Sequence, residues 1–323
     1  MTDQEILQQF ASLFIDLDDF QYLLTKKPLL AHYTSIQVLE KIMRNEEIWF
    51  SNPLFMNDMQ EMRFGIQHGI IAFDQLRAEI TRAAGTLDRF KMVESAFMGY
   101  YREFDTTHAL NVYVFCLSEH YPDDNDGRLS MWRAYGGNGN GAALVLKTDF
   151  LTGPKDDSPL LIGKVHYASD QQRVAWLEGK IRAWCTILEK SGIPDDKLYL
   201  AAHSIFSAIK IYALTSKHRG FSEENEWRLI YLPERDLNGL MKGAVDYVVG
   251  KLGVEPKLKF AIKPLALKSP EVWTFEGILD RILLGPSLSS TLARMSIVRM
   301  LEVIGKPTFG SKVVSSGIPL RPI

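Results

Sequence analysis

The sequence has little cysteine, no long apolar run and almost no net charge. Its two cysteines, Cys116 and Cys185, are far apart and form no C-x-x-C pair, which argues against a zinc site or a disulfide framework. No window reaches the roughly 18 apolar residues of a membrane span, and the N-terminus begins with acids rather than with the basic and apolar regions of a signal peptide. The net charge of −2, from 37 basic and 39 acidic residues, gives no electrostatic reason to expect a nucleic-acid or anionic-membrane partner. We therefore expect a cytoplasmic protein that does not contact membranes.

Several catalytic motifs are also missing. The glycine-rich run at 136–141 (GGNGNG) lacks the Lys and Ser/Thr of a Walker loop, and it follows a helical pattern where a dinucleotide fingerprint would follow a strand. The seven histidines include no H-E-x-x-H, so we predict no metal site. There is no G-x-S-x-G, and Cys116 lies within an apolar strand pattern, which does not favour nucleophilic catalysis by serine or cysteine. We predict that 136–141 is a connecting turn.

The fold class follows from how helical and strand patterns alternate in a chain of ordinary globular composition, 46% hydrophobic and 24% charged. Helices are predicted over residues 4–25, 36–44, 58–104 (two helices broken near Gly85), 130–136, 170–191, 195–217 and 288–304. Strands are predicted over 29–35, 48–53, 111–119, 142–150, 160–169, 226–232, 260–267, 281–286 and 312–317. This irregular order predicts an α+β fold with mixed, mainly antiparallel small sheets and flanking and inserted helices. We expect a single domain, 1–323, with a lead-in helix at 1–28 and helical insertions at about 58–104 and 170–217.

Acidic residues crowd the start of one strand, in FSEENEWRLIYL (221–232). Glu224 and Glu226 are two residues apart, so in an extended chain both side chains point to the same face, where they repel each other. Arg228 continues that face and could supply a compensating cation, most directly to Glu226. Two interpretations stay open: a local ion pair on a sheet surface, or a carboxylate held at the lip of a site. The apolar neighbours favour a buried strand, where charges are costly without tight pairing or a role in chemistry.

Two further segments carry candidate site residues. In LLAHYTS, His32 and Thr34 share one face of a strand while Tyr33 points to the other, and His32 is either a hydrogen-bonded core residue or a ligand contact. In SMWRAYG, Trp132 and Tyr135 are spaced i, i+3 on one helical face. That spacing is typical of core packing, and the alternative is a stacking platform for a flat ring, with Tyr135 beside the glycine-rich turn.

The order of these segments points to a known family. The segments are LLAHYTS, IWFSNPLFMND, VFCLSE, MWRAYG, EENEWRLIY, RILLGP and SSGIPLR. Together they resemble the bacterial domain of unknown function 2971 family, from about residue 30 to residue 321. Asn57, Asp58 and Glu61 match the same pattern, with Asn57 either a turn or helix cap or a substrate contact. Arg321 is expected to pair with one of the acids.

A more distant likeness concerns the chemistry. His-Tyr-Thr on an early strand, an aromatic-bearing helix and a late E-x-E at a strand start resemble the ADP-ribosyltransferase superfamily. The resemblance implies a split β core and NAD as substrate. It implies that His32 holds the ribose, assisted by Thr34, that Tyr135 stacks on nicotinamide, and that Glu226 stabilises the ribosyl cation while Glu224 orients the acceptor. The residues expected around NAD are His32, Tyr33, Thr34, Trp132, Tyr135 and Arg228.

Three hypotheses about function follow. The first is an NAD-consuming transferase or glycohydrolase acting on a protein or nucleic acid, as a toxin or phage-defence effector. The second is a non-catalytic module that binds a nucleotide or a partner through the same cleft. The third is a metal-independent nuclease with His32 as base and Arg133 or Arg228 on phosphate. The first requires His32, Tyr135 and Glu226 to line one pocket.

Overall fold

A computed structural model describes residues 1–56, 59–149, 151, 158–250, 253–262 and 274–320. The chain divides into two compact units. We call Met1–Asp19, Asn52–Val112 and Val165–Phe221 the helical unit, and Phe20–Ser51, Tyr113–Lys164 and Ser222–Ile323 the sheet unit. That the whole chain is a single domain stays a prediction.

The elements follow the predicted order. The helices in the described residues are α1 (Asp3–Gln9), α2 (Phe20–Lys26), α3 (Ile36–Asn45), α4 (Met59–Gln75), α5 (Arg77–Ala84), α6 (Leu87–Glu103), α7 (Leu129–Ala134), α8 (Asp170–Lys190), α9 (Leu198–Thr215), α10 (Phe275–Ile278) and α11 (Thr291–Val303). The strands are β1 (Leu29–Thr34), β2 (Glu47–Ser51), β3 (Tyr113–His120), β4 (Ala142–Leu146), β5 (Leu160–Lys164), β6 (His166–Ala168), β7 (Ser216–His218), β8 (Glu226–Tyr231), β9 (Val245–Gly250), β10 (Gly253–Ala261), β11 (Leu279–Leu284) and β12 (Val313–Ser315).

Some predicted boundaries are wrong. The single helix expected over 4–25 is three pieces, α1, a 3₁₀ helix at Ala11–Leu17 and α2. Ile6, Phe10, Leu13 and Leu17 are buried, and their spacing of three or four residues suits an α-helix and a tighter 3₁₀ turn alike. The strand expected at 160–169 is two strands in different sheets, β5 and β6. The strand expected at 260–267 overlaps the end of β10, and residues 263–267 lie outside the described part of the chain.

Close packing of α4 against α9 organises the helical unit, which holds both helical insertions. A Cβ atom on Gly65 would lie 2.6 Å from Ala213 Cβ, and one on Gly69 would lie 2.5 Å from Ile209 Cγ2. The two glycines therefore let the helix backbones approach. The stretch Asp195–Thr215 is long and apolar enough to cross a membrane by composition, but 78% of its most apolar window is buried inside the protein.

The sheet unit confirms the α+β class with mainly antiparallel pairing. Ten strands form one sheet in the order β12-β11-β4-β1-β3-β2-β10-β9, with β8 paired to β3 and β5 to β8. Among these described pairs only β11 and β12 are parallel. Most strands thus share one large sheet rather than the several small ones expected. The closing strand, β12, returns to the sheet that contains β1.

The sheet divides at β3. β8 pairs with β3 along Tyr113–Ser118, so β1 and β2 must both use the other edge of β3. β1 pairs there only from Ala31 opposite Ser118 to Leu29 opposite His120, and β2 only at Val114. Beyond Ala31, β1 continues on β4 alone. β1 and β2 therefore contact β3 at different positions along this edge. Between them, around Cys116, the edge of β3 that faces away from β8 has no paired strand among the described residues.

The two faces of this sheet have separate cores. One, which we call the α3 face, carries the larger core, and its members include Leu30, Phe115, Leu117, Leu144 and Trp227 with residues of α3 and α11. The other, the α7 face, carries a smaller core in which Met131 and Trp132 of α7 cover Ala31, Tyr33, Ala143, Val145 and Leu283. Side chains directly opposite each other in paired strands share a face, so the register assigns each candidate residue that lies in a strand to one of the two faces.

Candidate functional site

The two acids lie on either side of the sharp turn by which the chain enters β8. Glu226 begins the strand and Glu224 ends the 3₁₀ helix Arg219–Glu224, so the extended chain expected from 224 to 226 is broken at Asn225. Asn225 has a left-handed backbone (φ 43°), which asparagine tolerates better than most residues. The Asn225 carbonyl accepts from the Glu119 amide at 2.9 Å, and Ser118 Oγ donates to the Glu224 carbonyl at 2.6 Å. These bonds fix the backbone on both sides of the turn, so that Glu224 and Glu226 are both buried.

Glu226 is paired with Arg228. Arg228 Nε donates to Glu226 Oε1 at 2.8 Å and Nη2 donates to Oε2 at 3.1 Å, a bidentate arrangement in which both side chains are about 5% exposed. Planar two-point pairing of this kind is among the stronger charge-assisted contacts. The ion pair considered from the sequence is therefore present, and it is buried rather than on the sheet surface.

Glu224 contacts the tyrosine that follows α7. Tyr135 Oη donates to Glu224 Oε1 at 3.1 Å, and the tyrosine is 37% exposed. The structure thus brings together two residues predicted for the site that are 89 positions apart in the chain. The ring is anchored at its hydroxyl while part of its surface faces solvent.

The other aromatic candidates on this face belong to the core. Trp132 is fully buried, donates from Nε1 to the Asp126 carbonyl at 2.8 Å, and meets Tyr33 edge-on at a centroid distance of 4.7 Å. Tyr33 accepts the Arg128 amide at 3.0 Å, and burial raises the pKa of its hydroxyl to about 12. Thr34 is also buried, but it lies on the α3 face, opposite Ala142 of β4. These contacts support the interpretation of Trp132 as a core-packing residue.

His32 lies on the opposite face from Glu226. Ala31 and Glu226 are both opposite Ser118, which puts Glu226 on the α7 face, whereas His32 is opposite Leu144 on the α3 face. The prediction that His32 shares one pocket with Tyr135 and Glu226 is therefore wrong. The physical reason is that the pairing register decides whether residues of two distant strands lie on the same face of the sheet. Spacing within one segment carries no information about that register.

The surroundings of His32 are those of a structural residue. Its ring stacks on Phe115 at 4.3 Å, and Nδ1 bonds the Cys116 carbonyl at 3.0 Å, so Nδ1 carries the proton. Burial lowers the pKa of His32, and the Cys116 carbonyl offsets this in part. The side chain thereby satisfies a backbone carbonyl where β1 has separated from β3. A nuclease would need His32 beside Arg228, which is on the other face, or beside Arg133, which is exposed on α7.

One buried acid, Glu119, was not predicted from the sequence. On the α3 face, Glu119 accepts from Tyr22 Oη at 2.9 Å, Lys164 Nζ at 2.7 Å and Trp227 Nε1 at 3.0 Å. Burial by itself raises the pKa of Glu119, but these three hydrogen bonds and the Lys164 charge outweigh it and lower the pKa. The only available signal was a glutamate ending the apolar run VFCLSE, since its three donors come from remote segments.

The remaining predicted positions lie elsewhere. Glu61, in the helical unit, pairs with Arg173 Nη1 at 2.6 Å, and Arg173 is almost fully buried. Asn57, Asp58 and Arg321 lie outside the described residues. Within the described part of the chain, no group of three or more His, Cys, Asp or Glu side chains is arranged to hold a metal ion.

The comparisons with known proteins give one match. Residues 131–229 match the model of a family described as Protein of unknown function (DUF2971), a stretch that includes Tyr135, Glu224, Glu226 and Arg228 but not His32. No curated protein and no solved structure matches the chain, and the likeness to ADP-ribosyltransferases gains no support from these comparisons. Over residues 131–229, the chain is similar to the family described as Protein of unknown function (DUF2971).

Proposed function

We propose that the protein binds an NAD-like nucleotide on the α7 face, at the Tyr135 ring and the acidic start of β8. The observation that carries this proposal is the hydrogen bond from Tyr135 Oη to Glu224 Oε1, at 3.1 Å, on a tyrosine that stays 37% exposed. A ring that is already held in place loses little freedom when a flat base or nicotinamide stacks on it. Stacking of a base on an aromatic side chain is worth about 1–3 kcal/mol.

Binding without cleavage is the function that the acids support best. Glu226 already has a compensating cation in Arg228, with both carboxylate oxygens engaged. A carboxylate neutralised in this way offers less stabilisation to a positive charge that develops on a substrate. The proposed role of the Glu226–Arg228 pair is therefore to hold the start of β8, so that Glu224 stays beside Tyr135.

A second candidate function adds cleavage of the nicotinamide–ribose bond, in the manner of ADP-ribosyltransferases, by a cytoplasmic toxin or phage-defence effector. The presence of a second buried acid, Glu224, next to the tyrosine ring favours it. In this reaction the C1′–N bond breaks and its electron pair leaves with nicotinamide. The ribosyl cation is then captured by water or by an acceptor nucleophile, which loses its proton. Glu226 would stabilise the cation after Arg228 releases it, and Glu224 would orient the acceptor.

One experiment tests both candidates. The purified protein is incubated with NAD, and its melting temperature and the released nicotinamide are measured. We expect NAD to raise the melting temperature of the wild type. The rise should be smaller for Tyr135→Phe, which keeps the ring but loses the hydrogen bond to Glu224, and small or absent for Tyr135→Ala. The matched control is Tyr199→Ala, because Tyr199 is 42% exposed and also bonds a carboxylate, Asp3 Oδ2, at 3.4 Å.

The outcomes separate the two functions. A wild type whose melting temperature does not respond to NAD contradicts binding. A response without nicotinamide supports the binding function, and release of nicotinamide that is lost in a folded Glu226→Gln variant supports cleavage. If Tyr199→Ala loses the response as fully as Tyr135→Ala, the ring of Tyr135 is not the binding surface.

A further inference from the structure

The hairpin of β9 and β10 continues the α3 face of the sheet beyond the residues that pack over it. Leu258 is fully buried on the α3 face, and its neighbour across the hairpin, Val245, is 42% exposed. Further along the same face, Tyr247 is 61% exposed and Val249 is 70% exposed, and Val254, opposite Val249, is 61% exposed. Exposure therefore rises along a continuous apolar strip that begins in the core.

β9 is also an edge strand. Among the described residues it pairs with β10 alone. Proteins usually protect such an edge with lysine, proline or a bulge, and VDYVVG contains none of these. Its one charged residue, Asp246, pairs with Lys259 Nζ at 2.6 Å on the other face of the hairpin. Neither the backbone edge nor the apolar strip is protected by charge.

From these observations we propose that a second copy of this chain pairs with β9 in an antiparallel, two-fold symmetric arrangement centred on Tyr247. Opposite residues in antiparallel strands share a face. In this register Tyr247 lies opposite the partner's Tyr247, and Val245 lies opposite the partner's Val249. Both apolar strips then fall on one side of the joined sheet, and each copy uses the same surface, as a two-fold interface requires.

Charge and side-chain direction disfavour two neighbouring registers. A shift that centres the pairing on Asp246 would put two carboxylates directly opposite each other, which is unfavourable. A shift by one residue would turn the apolar strip of one copy to the charged face of the other. With Tyr247 at the centre, Asp246 lies opposite the partner's Val248 and keeps its pairing with Lys259.

The size of the surface indicates a reversible dimer. The exposed parts of Val245, Tyr247, Val249 and Val254 amount to about 400 Å², within the roughly 300–600 Å² of the largest apolar patch on a typical monomer. A stable interface buries about 800 Å² on each partner, so the strand edge and its surroundings must supply the rest. We expect monomers and dimers to exchange at micromolar concentrations. This inference does not depend on the proposed nucleotide binding.

Sedimentation velocity of the full chain across the micromolar range tests the dimer. The wild-type mass should rise from 36.7 kDa towards twice that value. Tyr247→Lys should stay monomeric, because the two-fold axis places each lysine against its own copy, and so should Tyr247→Glu. An equimolar mixture of the two variants should dimerise again. Leu292→Lys, which makes the same kind of change at a 75% exposed position on α11, should behave as the wild type.

A cross-linking variant tests the register. Tyr247→Cys should form a covalent dimer on mild oxidation, since opposite residues are close enough for a disulfide, whereas Leu292→Cys should not. A wild type that stays monomeric throughout overturns the proposal. It is equally overturned if Tyr247→Lys dimerises like the wild type, if the Lys and Glu variants do not associate when mixed, or if Tyr247→Cys fails to cross-link.

Discussion

Removing Arg228 should destabilise the sheet unit more than removing it together with its partner. Arg228→Met leaves Glu226 buried, about 4% exposed, without the two hydrogen bonds at 2.8 and 3.1 Å that compensate its charge. Breaking a buried ion pair on one side costs about 3–5 kcal/mol of unfolding free energy, whereas replacing both partners by apolar residues of similar volume is close to neutral. The double variant Glu226→Leu/Arg228→Met should therefore recover most of the loss.

Urea unfolding followed by circular dichroism measures this difference. With a slope of about 3 kcal/mol per molar urea, Arg228→Met should lower the midpoint by about 1 M or more, and the slopes must agree before midpoints are compared. The coupling energy from the double-mutant cycle should exceed about 2 kcal/mol. If the two single effects simply add in the double variant, the pair does not hold the start of β8 and the reasoning is refuted.

Three further outcomes follow from other contacts. The stabilising effect of Glu119 relative to Glu119→Gln should be full above about pH 4.5 and disappear as the pH falls through the lowered pKa of the folded state, as measured by urea midpoints against pH. The pKa of His32 is lowered in the folded state, so below about pH 6.5 the unfolded chain binds more protons and the free energy of unfolding falls. His32→Asn should make this fall less steep, as measured by the same urea midpoints against pH. Gly65→Ala should lower the unfolding free energy by about 1–3 kcal/mol, because its Cβ meets Ala213, whereas Gly179→Ala, with open space on α8, should raise it by about 0.5–1 kcal/mol; thermal unfolding of the two variants compares them.

Local patterns predicted what depends on neighbouring residues. Alternation along β8 put Glu226 and Arg228 on one face, and the Glu226–Arg228 pair is present. The apolar runs located most strands within a few residues, and the interleaving of helices and strands was enough for the α+β class. These features are determined by spacing within a segment, which any single sequence displays.

Features that depend on distant partners could not be predicted in the same way. The faces of His32 and Glu226 are related only through β3, because Ala31 and Glu226 both lie opposite Ser118. The hydrogen bond between Tyr135 and Glu224 likewise joins segments that are 89 positions apart in the chain. β9 and most of β10 were not predicted, and Pro256 interrupts the strand pattern of β10.

The most direct test of nucleotide binding at Tyr135 is a calorimetric titration of NAD into the wild type, Tyr135→Phe and Tyr135→Ala. We expect saturable binding to the first two and an affinity for Tyr135→Ala that is weaker by about tenfold or more, in line with the loss of one stacking contact of about 1–3 kcal/mol. Equal affinities for Tyr135→Ala and the wild type, or no heat of binding to the wild type at all, would contradict the proposed site.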